Sequence, residues 1–175
     1  VEDEGAWMSL SIGAYCWYGN DSSNKAYGAL YNGFAVNTGN LAPAGWHVAT
    51  KADWQLLIDS LGSGGNLACK MINNWATGWA NPPECDNNHS AFSAIGNGCR
   101  ACKGIFGIFY EQPVFSGFTG SKEGATWWTS TEYLMGSVVP GTGGYYYYLD
   151  PIYGLSDWWF TEYKIGFGVR CVKDE

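Results

Sequence analysis

The residues of this chain able to do covalent or metal chemistry are six cysteines, two histidines and a scatter of acids. Cys99-Arg-Ala-Cys102 has the C-x-x-C spacing of a dithiol redox site, or of half a zinc–thiolate site completed by Cys69 and Cys85. A thioredoxin-type site needs a βαβ setting, and the sequence around this pair does not read as one. A four-thiolate zinc site usually shows two close pairs, whereas Cys69 and Cys85 stand sixteen residues apart. Together with Cys16 and Cys171 the cysteines are even in number and widely spaced, the pattern of structural disulfides in an oxidising compartment. Disulfides are the favoured reading; zinc and redox chemistry are the alternatives.

Neither histidine stands in a catalytic pattern. His47 lies in Gly45-Trp46-His47, a turn ahead of a helix, and reads as hydrogen-bonded structure. His89 stands by itself, and no Ser-His-Asp set or His-rich metal motif accompanies either. Glu132, Asp150, Asp157 and Glu162 are the acids from which a glycosidase pair would be drawn, but nothing in the sequence fixes their separation. The expectation is a protein that is not an enzyme and carries no cofactor.

Binding chemistry is better represented. Tyr145, Tyr146, Tyr147, Tyr148, Tyr153, Trp158, Trp159, Phe160 and Tyr163 crowd into one short stretch, more rings than one core face can hide. Side chains alternate along a strand, so Tyr145 and Tyr147 face one way and Tyr146 and Tyr148 the other. One set packs inside and the other meets solvent or a partner. Rigid amphipathic rings give large contact area at low entropic cost. The candidate ligand-binding residues are Tyr133, Tyr145, Tyr147, Asp150, Ile152, Tyr153, Leu155, Asp157, Trp158, Trp159, Phe160, Glu162 and Tyr163. No Lys or Arg lies between Lys122 and Lys164, so this face is aromatic and acidic.

The rest of the chain bounds what such a face belongs to. Its 175 residues suffice for a single domain with a respectable core. Glycine supplies 25 residues and charged residues only 14%, which suits a loop-rich fold with little long helix. A net charge of −7 argues against nucleic acid and against anionic membrane surfaces. No apolar run approaches the roughly 20 residues needed to span a bilayer. Val1-Glu2-Asp3-Glu4 is not a signal peptide and reads as the start of a mature chain, with any signal or anchor upstream.

Two helices must position the rest. Thr50-Lys51-Ala52-Asp53 forms a capping box, and Trp54, Leu57, Ile58 and Leu61 fall on one stripe behind it, predicting a helix over 51–61 that Gly62 ends. Leu30, Tyr31, Phe34 and Ala35 share a face and predict a second helix over 27–36. Short β-rich runs follow at 92–95, 104–110, 125–130, 144–149 and 166–172, with 134–144 as a glycine-rich loop. Helices followed by short antiparallel strands read as α+β.

An ordered set of motifs resembles a known family. Tyr15-Cys16-Trp17-Tyr18 with Asn20-Asp21, Tyr27-Gly28-x-Leu30-Tyr31-Asn32, Ala35-Val36-Asn37, Leu41-Ala42-Pro43-x-Gly45-Trp46-His47, Asp53-Trp54 and Phe92-Ser93-Ala94 come in sequence. Trp127-Trp128-x-Ser130-Thr131-Glu132, Tyr148-Leu149 and Gly166-Phe167-x-Val169-Arg170-Cys171-Val172 complete it, covering about 15–173. This is similar to the Fibrobacter succinogenes major paralogous domain of secreted and surface proteins. The resemblance implies a C-type-lectin-like fold: two helices, a small twisted antiparallel sheet and long irregular loops that present ligand sites. It also implies a Cys16–Cys171 disulfide, leaving Cys69, Cys85, Cys99 and Cys102 to pair among themselves. The Glu-Pro-Asn, Gln-Pro-Asp and Trp-Asn-Asp sets of calcium-dependent lectins are missing, and Glu111-Gln112-Pro113 is followed by Val114. Formylglycine-generating enzymes share the broad fold, but Cys99 and Cys102 do not match the context of their cysteine pair.

Ile152, Tyr153, Leu155, Trp158, Trp159, Phe160 and Tyr163 stand where the resembled family commonly carries small polar residues. An aromatic segment just before Gly166-Phe167 is also similar to the mutable segment of variable proteins from diversity-generating retroelements. The resulting expectation is a secreted or surface, non-catalytic domain for adhesion or display, binding a protein or glycan on a cell or host surface. Its face combines the loop at 134–144, the segment 150–163 and the outward tyrosines. Glycan recognition is the alternative, and a subunit contact is the third reading.

Overall fold

A computed structural model describes residues 1–62, 67–72, 79, 88, 90–101, 118–121, 124–134, 143–150 and 156–175. The fold is α+β. Among the described residues four α-helices, α1 (Glu4–Ser9), α2 (Gly33–Asn37), α3 (Lys51–Leu61) and α4 (Leu67–Met71), accompany ten strands. These are β1 (Tyr15–Trp17), β2 (Ala29–Asn32), β3 (Trp46–Val48), β4 (Asn97–Arg100), β5 (Phe118–Ser121), β6 (Ala125–Glu132), β7 (Gly143–Leu149), β8 (Ser156–Glu162), β9 (Gly166–Val169) and β10 (Cys171–Lys173). Eight of them form one sheet in the order β1-β2-β9-β4-β6-β7-β8, with β5 also paired to β4, while β10 and β3 make a two-stranded ribbon.

The sheet is therefore larger than the small antiparallel one expected, and it is mixed. β9 returns to its middle, antiparallel to β2 and parallel to β6. Glycines admit it there. A Cβ at Gly166 would lie 2.9 Å from the Arg100 Cβ, and one at Gly168 would lie 2.5 Å from the side-chain nitrogen of Asn97. Between them Phe167 is fully buried. The run expected as one strand over 166–172 divides at Arg170. Its guanidinium stacks 4.6 Å from the Phe92 ring, its carbonyl accepts from the Ala49 amide at 2.8 Å, and the chain then joins β3 instead.

Helix α3 has the predicted bounds and cap. The Thr50 hydroxyl accepts from the Asp53 amide and the Asp53 carboxylate accepts from the Thr50 amide, the two halves of a capping box. The second predicted helix is not one element. Gly28 turns the chain at φ 84°, residues 29–32 pair as β2, and only then does α2 begin. Asn32 forces the change. It is buried, its carboxamide oxygen accepts from the Ala35 and Ala14 amides, and its nitrogen donates to the Ile12 carbonyl. The strand expected over 92–95 is also corrected: Ala91 and Ser93 take positive φ, so only Ala94 bridges, to Ile72, and the strand starts at Asn97. The run at 104–110 lies outside the described residues.

The aromatic segment after Asp150, for which no strand is predicted, is partly sheet. Residues 156–162 form β8, antiparallel to β7 at every position from Leu149↔Ser156 to Gly143↔Glu162. Both faces of the sheet centre are covered. Trp127 and Tyr147 enter one cluster with Trp54 of α3, Leu67, Met71 and Ile72. Their neighbours Trp128 and Tyr146 enter another with Val36, Ile165 and Phe167. The expectation that one tyrosine set is core and the other exposed is thus wrong at mid-strand, because helices α3 and α4 cover one face and α2 with β3 the other.

Candidate functional site: an aromatic edge at β7 and β8

Burial ends toward one end of β7. Beyond Trp128 the β6–β7 register shifts before Glu132 pairs with Gly144. An irregularity of this kind re-aims the side chains that follow it. Gly144 must be glycine, since a Cβ there would sit 2.9 Å from the Tyr163 ring. The Tyr133 amide donates to the Gly143 carbonyl at 3.0 Å, which fixes Tyr133 beside the strand pair.

Three predicted residues meet here. Tyr133 and Phe160 stack with centroids 3.9 Å apart and planes at 4°, and Tyr145 meets Tyr133 edge-on at 5.4 Å. Phe160 lies opposite Tyr145 in the β7–β8 register, so both belong to the same sheet face. Phe160 and Trp159 are each 47% exposed, and Leu134 and Glu162 are exposed beside them. Trp159 lies opposite Tyr146, on the other face of the same strand. Asp157 and Trp158 lie opposite Tyr148 and Tyr147. The sequence reading missed Lys51. Its ammonium stands 4.5 Å over the Tyr145 ring, while its amide donates to the Thr131 hydroxyl at 3.0 Å. The missing Lys and Arg of 123–163 concealed a cation delivered from the start of α3. No signal local to the aromatic segment could have shown it.

Three predicted binding residues are architecture. Tyr147 is 0% exposed and stacks on Trp54 at 4.4 Å and 9°. Tyr163 is 5% exposed against Phe34 and Trp128. Burial, with the Glu132 charge, pushes its phenol up to about 12. Asp150 is buried and accepts a hydrogen bond from the Tyr148 hydroxyl at 2.9 Å. Ile152, Tyr153, Leu155 and residues 135–142 of the predicted loop lie outside the described residues.

The cysteines split differently from expectation. Cys69 and Cys99 are disulfide-bonded, which excludes them as zinc thiolates; Cys85 and Cys102 lie outside the described residues. Cys16 and Cys171 are free, so the pairing implied by the resemblance is corrected. Alternation explains it. Cys16 pairs with Leu30 and packs with Trp7, whereas Tyr15 pairs with Tyr31 on the opposite face. Cys171 packs against the cluster that holds Phe167, the residue paired with Tyr31 on that opposite face. Burial pushes the Cys16 thiol up, against a hydrogen bond from the Arg100 guanidinium.

His47 is structural, as read from the sequence. Its Nδ1 meets Asp174 at 2.7 Å and its Nε2 meets Asp53 at 3.1 Å. A second aromatic group at the far end of the sheet went unread. Tyr15 lies 5.9 Å from both Trp17 and Tyr31, and the Lys25 ammonium is 5.6 Å from the Trp17 ring. It borders an open cleft of about 380 Å³ lined by Glu2, Gly13, Cys16 and Asn20 among others.

Among the described residues no helix is long and apolar enough to cross a membrane. Searches of curated proteins and of solved structures each find no match. A model of the Fibrobacter succinogenes major domain matches residues 2–173, and the chain belongs to that family.

Proposed function

We propose that this is a non-catalytic, extracellular ligand-binding domain for adhesion or display, secreted or held at a cell surface, with a C-type-lectin-like architecture. The observation that carries the reading is the half-exposed aromatic edge. Tyr133, Tyr145 and Phe160 stack into a preformed surface, and Trp159 stands on the other side of the same strand. Exposed rings grouped this way resemble the aromatic anchors of binding surfaces. Glu162 and Glu132 beside them favour neutral or basic ligands over anionic polysaccharides.

The C-type-lectin-like reading is supported by the capped helix α3, packed on a sheet to whose middle β9 returns near the end of the chain. The aromatic character of 145–163 supports a role as a display protein of a diversity-generating retroelement. A protein ligand is favoured over a glycan, because Lys51 over Tyr145 covers one ring face that a sugar would stack on. Labelled protein applied to a glycan array and to intact cells tests this. Cell binding without array binding is expected, and array binding lost on Phe160→Ala would establish the glycan alternative. Sequences of the same locus from sibling strains test the display role, which requires changes concentrated in 133–163.

A further inference from the structure

We propose that β8 is the seam of a symmetric dimer, in which two copies of this chain join edge to edge into one continuous sheet. β8 ends the strand order, and among the described residues no strand pairs with its outer side. Free sheet edges are usually blunted by lysine, proline, bulges or brevity. β8 has none of these, and its only charges, Asp157 and Glu162, flank its aromatic centre: it is Ser-Asp-Trp-Trp-Phe-Thr-Glu, seven residues in unbroken register with β7. A long, regular, aromatic edge is a template for another strand.

The order of residues within β8 selects a second copy as that strand. The segment is symmetric in polarity about Trp159, with two polar residues on either side of three aromatic ones. Antiparallel pairing on a two-fold axis at Trp159 sets Trp158 against Phe160, Asp157 against Thr161 and Ser156 against Glu162. Aromatic positions then meet aromatic ones, and no acid meets an acid. Cross-strand pairs of this kind stabilise a sheet, whereas like charges directly opposed would weaken it.

The axis runs through the sheet, so both Tyr133–Phe160 stacks emerge on the same face. The second copy thereby contributes to the binding surface and makes it bivalent. The dimer itself does not depend on the ligand-binding reading, because association is measured without any ligand.

Sedimentation of the purified chain from about 1 to about 100 μM tests the proposal. The expected result is a concentration-dependent species of twice the chain mass. Trp159→Lys places like charges on the axis and should weaken association about 100-fold. Trp159→Glu should do the same, and an equimolar mixture of the two should recover the dimer. If either charged variant loses its native circular dichroism, Trp159→Thr takes its place and should weaken association about tenfold. A wild-type chain that stays single at the highest concentration overturns the proposal and leaves the edge to a strand of another protein. Dimers undiminished by these substitutions, or folded Lys and Glu variants that fail to pair with each other, overturn it equally.

Discussion

His47 is held between two carboxylates, and a neutral imidazole can donate to only one of them. The Asp174 and Asp53 hydrogen bonds raise its pKa above the ordinary value. A group raised on folding contributes stability that is complete below its unfolded pKa and disappears as pH rises through the folded one. Urea denaturation between about pH 5 and about pH 8 should therefore show stability falling in the wild type across the histidine range, and less so in His47→Gln. Identical profiles would remove the imidazolium from the account. Asp53 titrates elsewhere. Partial burial raises it, but bonds from Thr50 and His47 outweigh this and hold it below the usual carboxylate value, so its contribution is lost only at lower pH.

The tyrosine run gives a sharper contrast between neighbours. Tyr147 is sealed against Trp54, and Tyr147→Ala should cost about 3–5 kcal/mol. Phe160 loses only its exposed stack on Tyr133, so Phe160→Ala should cost about 1 kcal/mol. Thermal melting of the two variants checks this, and equal losses would mean that Phe160 is core. Composition could not separate these two rings. What separates them is Trp54 of α3 stacked over Tyr147, a tertiary fact.

Among the elements, α3 was legible because its signals are local: Thr50 and Asp53 close the cap, Trp54 leads the buried stripe and Gly62 ends the helix. Thr50→Ala removes the cap and should cost about 0.5–2 kcal/mol in urea denaturation, with α3 otherwise intact. No change would show that Asp53 alone holds the first turn. The segment around Asn32 was not legible, because its helical spacing of apolar residues competes with a buried carboxamide whose partners, Ala14 and Ile12, are distant in sequence. β8 was misread for a related reason. Its Trp-Trp-Phe run has no polar alternation to announce a strand, and only pairing with β7 makes it one.

At the scale of the whole molecule, the aromatic excess does two jobs. Trp127, Trp128, Tyr146 and Tyr147 fill two cores back to back across one sheet, and Tyr133, Tyr145, Phe160 and Trp159 collect where those cores end. The α+β class followed from two helical patterns ahead of short β-rich runs, and the family membership from motif order. The mixed sheet did not, because β9 reaches its middle only through the close approach that Gly166 and Gly168 permit. The free Cys16 and Cys171 belong to this scale too, since the sheet itself separates them.

The claim on which the account turns is that the β7–β8 edge is a working surface and not a leftover of packing. Binding of labelled protein to intact cells, compared between the wild type and a folded variant carrying Phe160→Ala and Trp159→Ala, tests it most directly. The account predicts an affinity at least about tenfold weaker, in keeping with the loss of central aromatic anchors. Undiminished binding by the folded variant would contradict it and move the site elsewhere on the molecule.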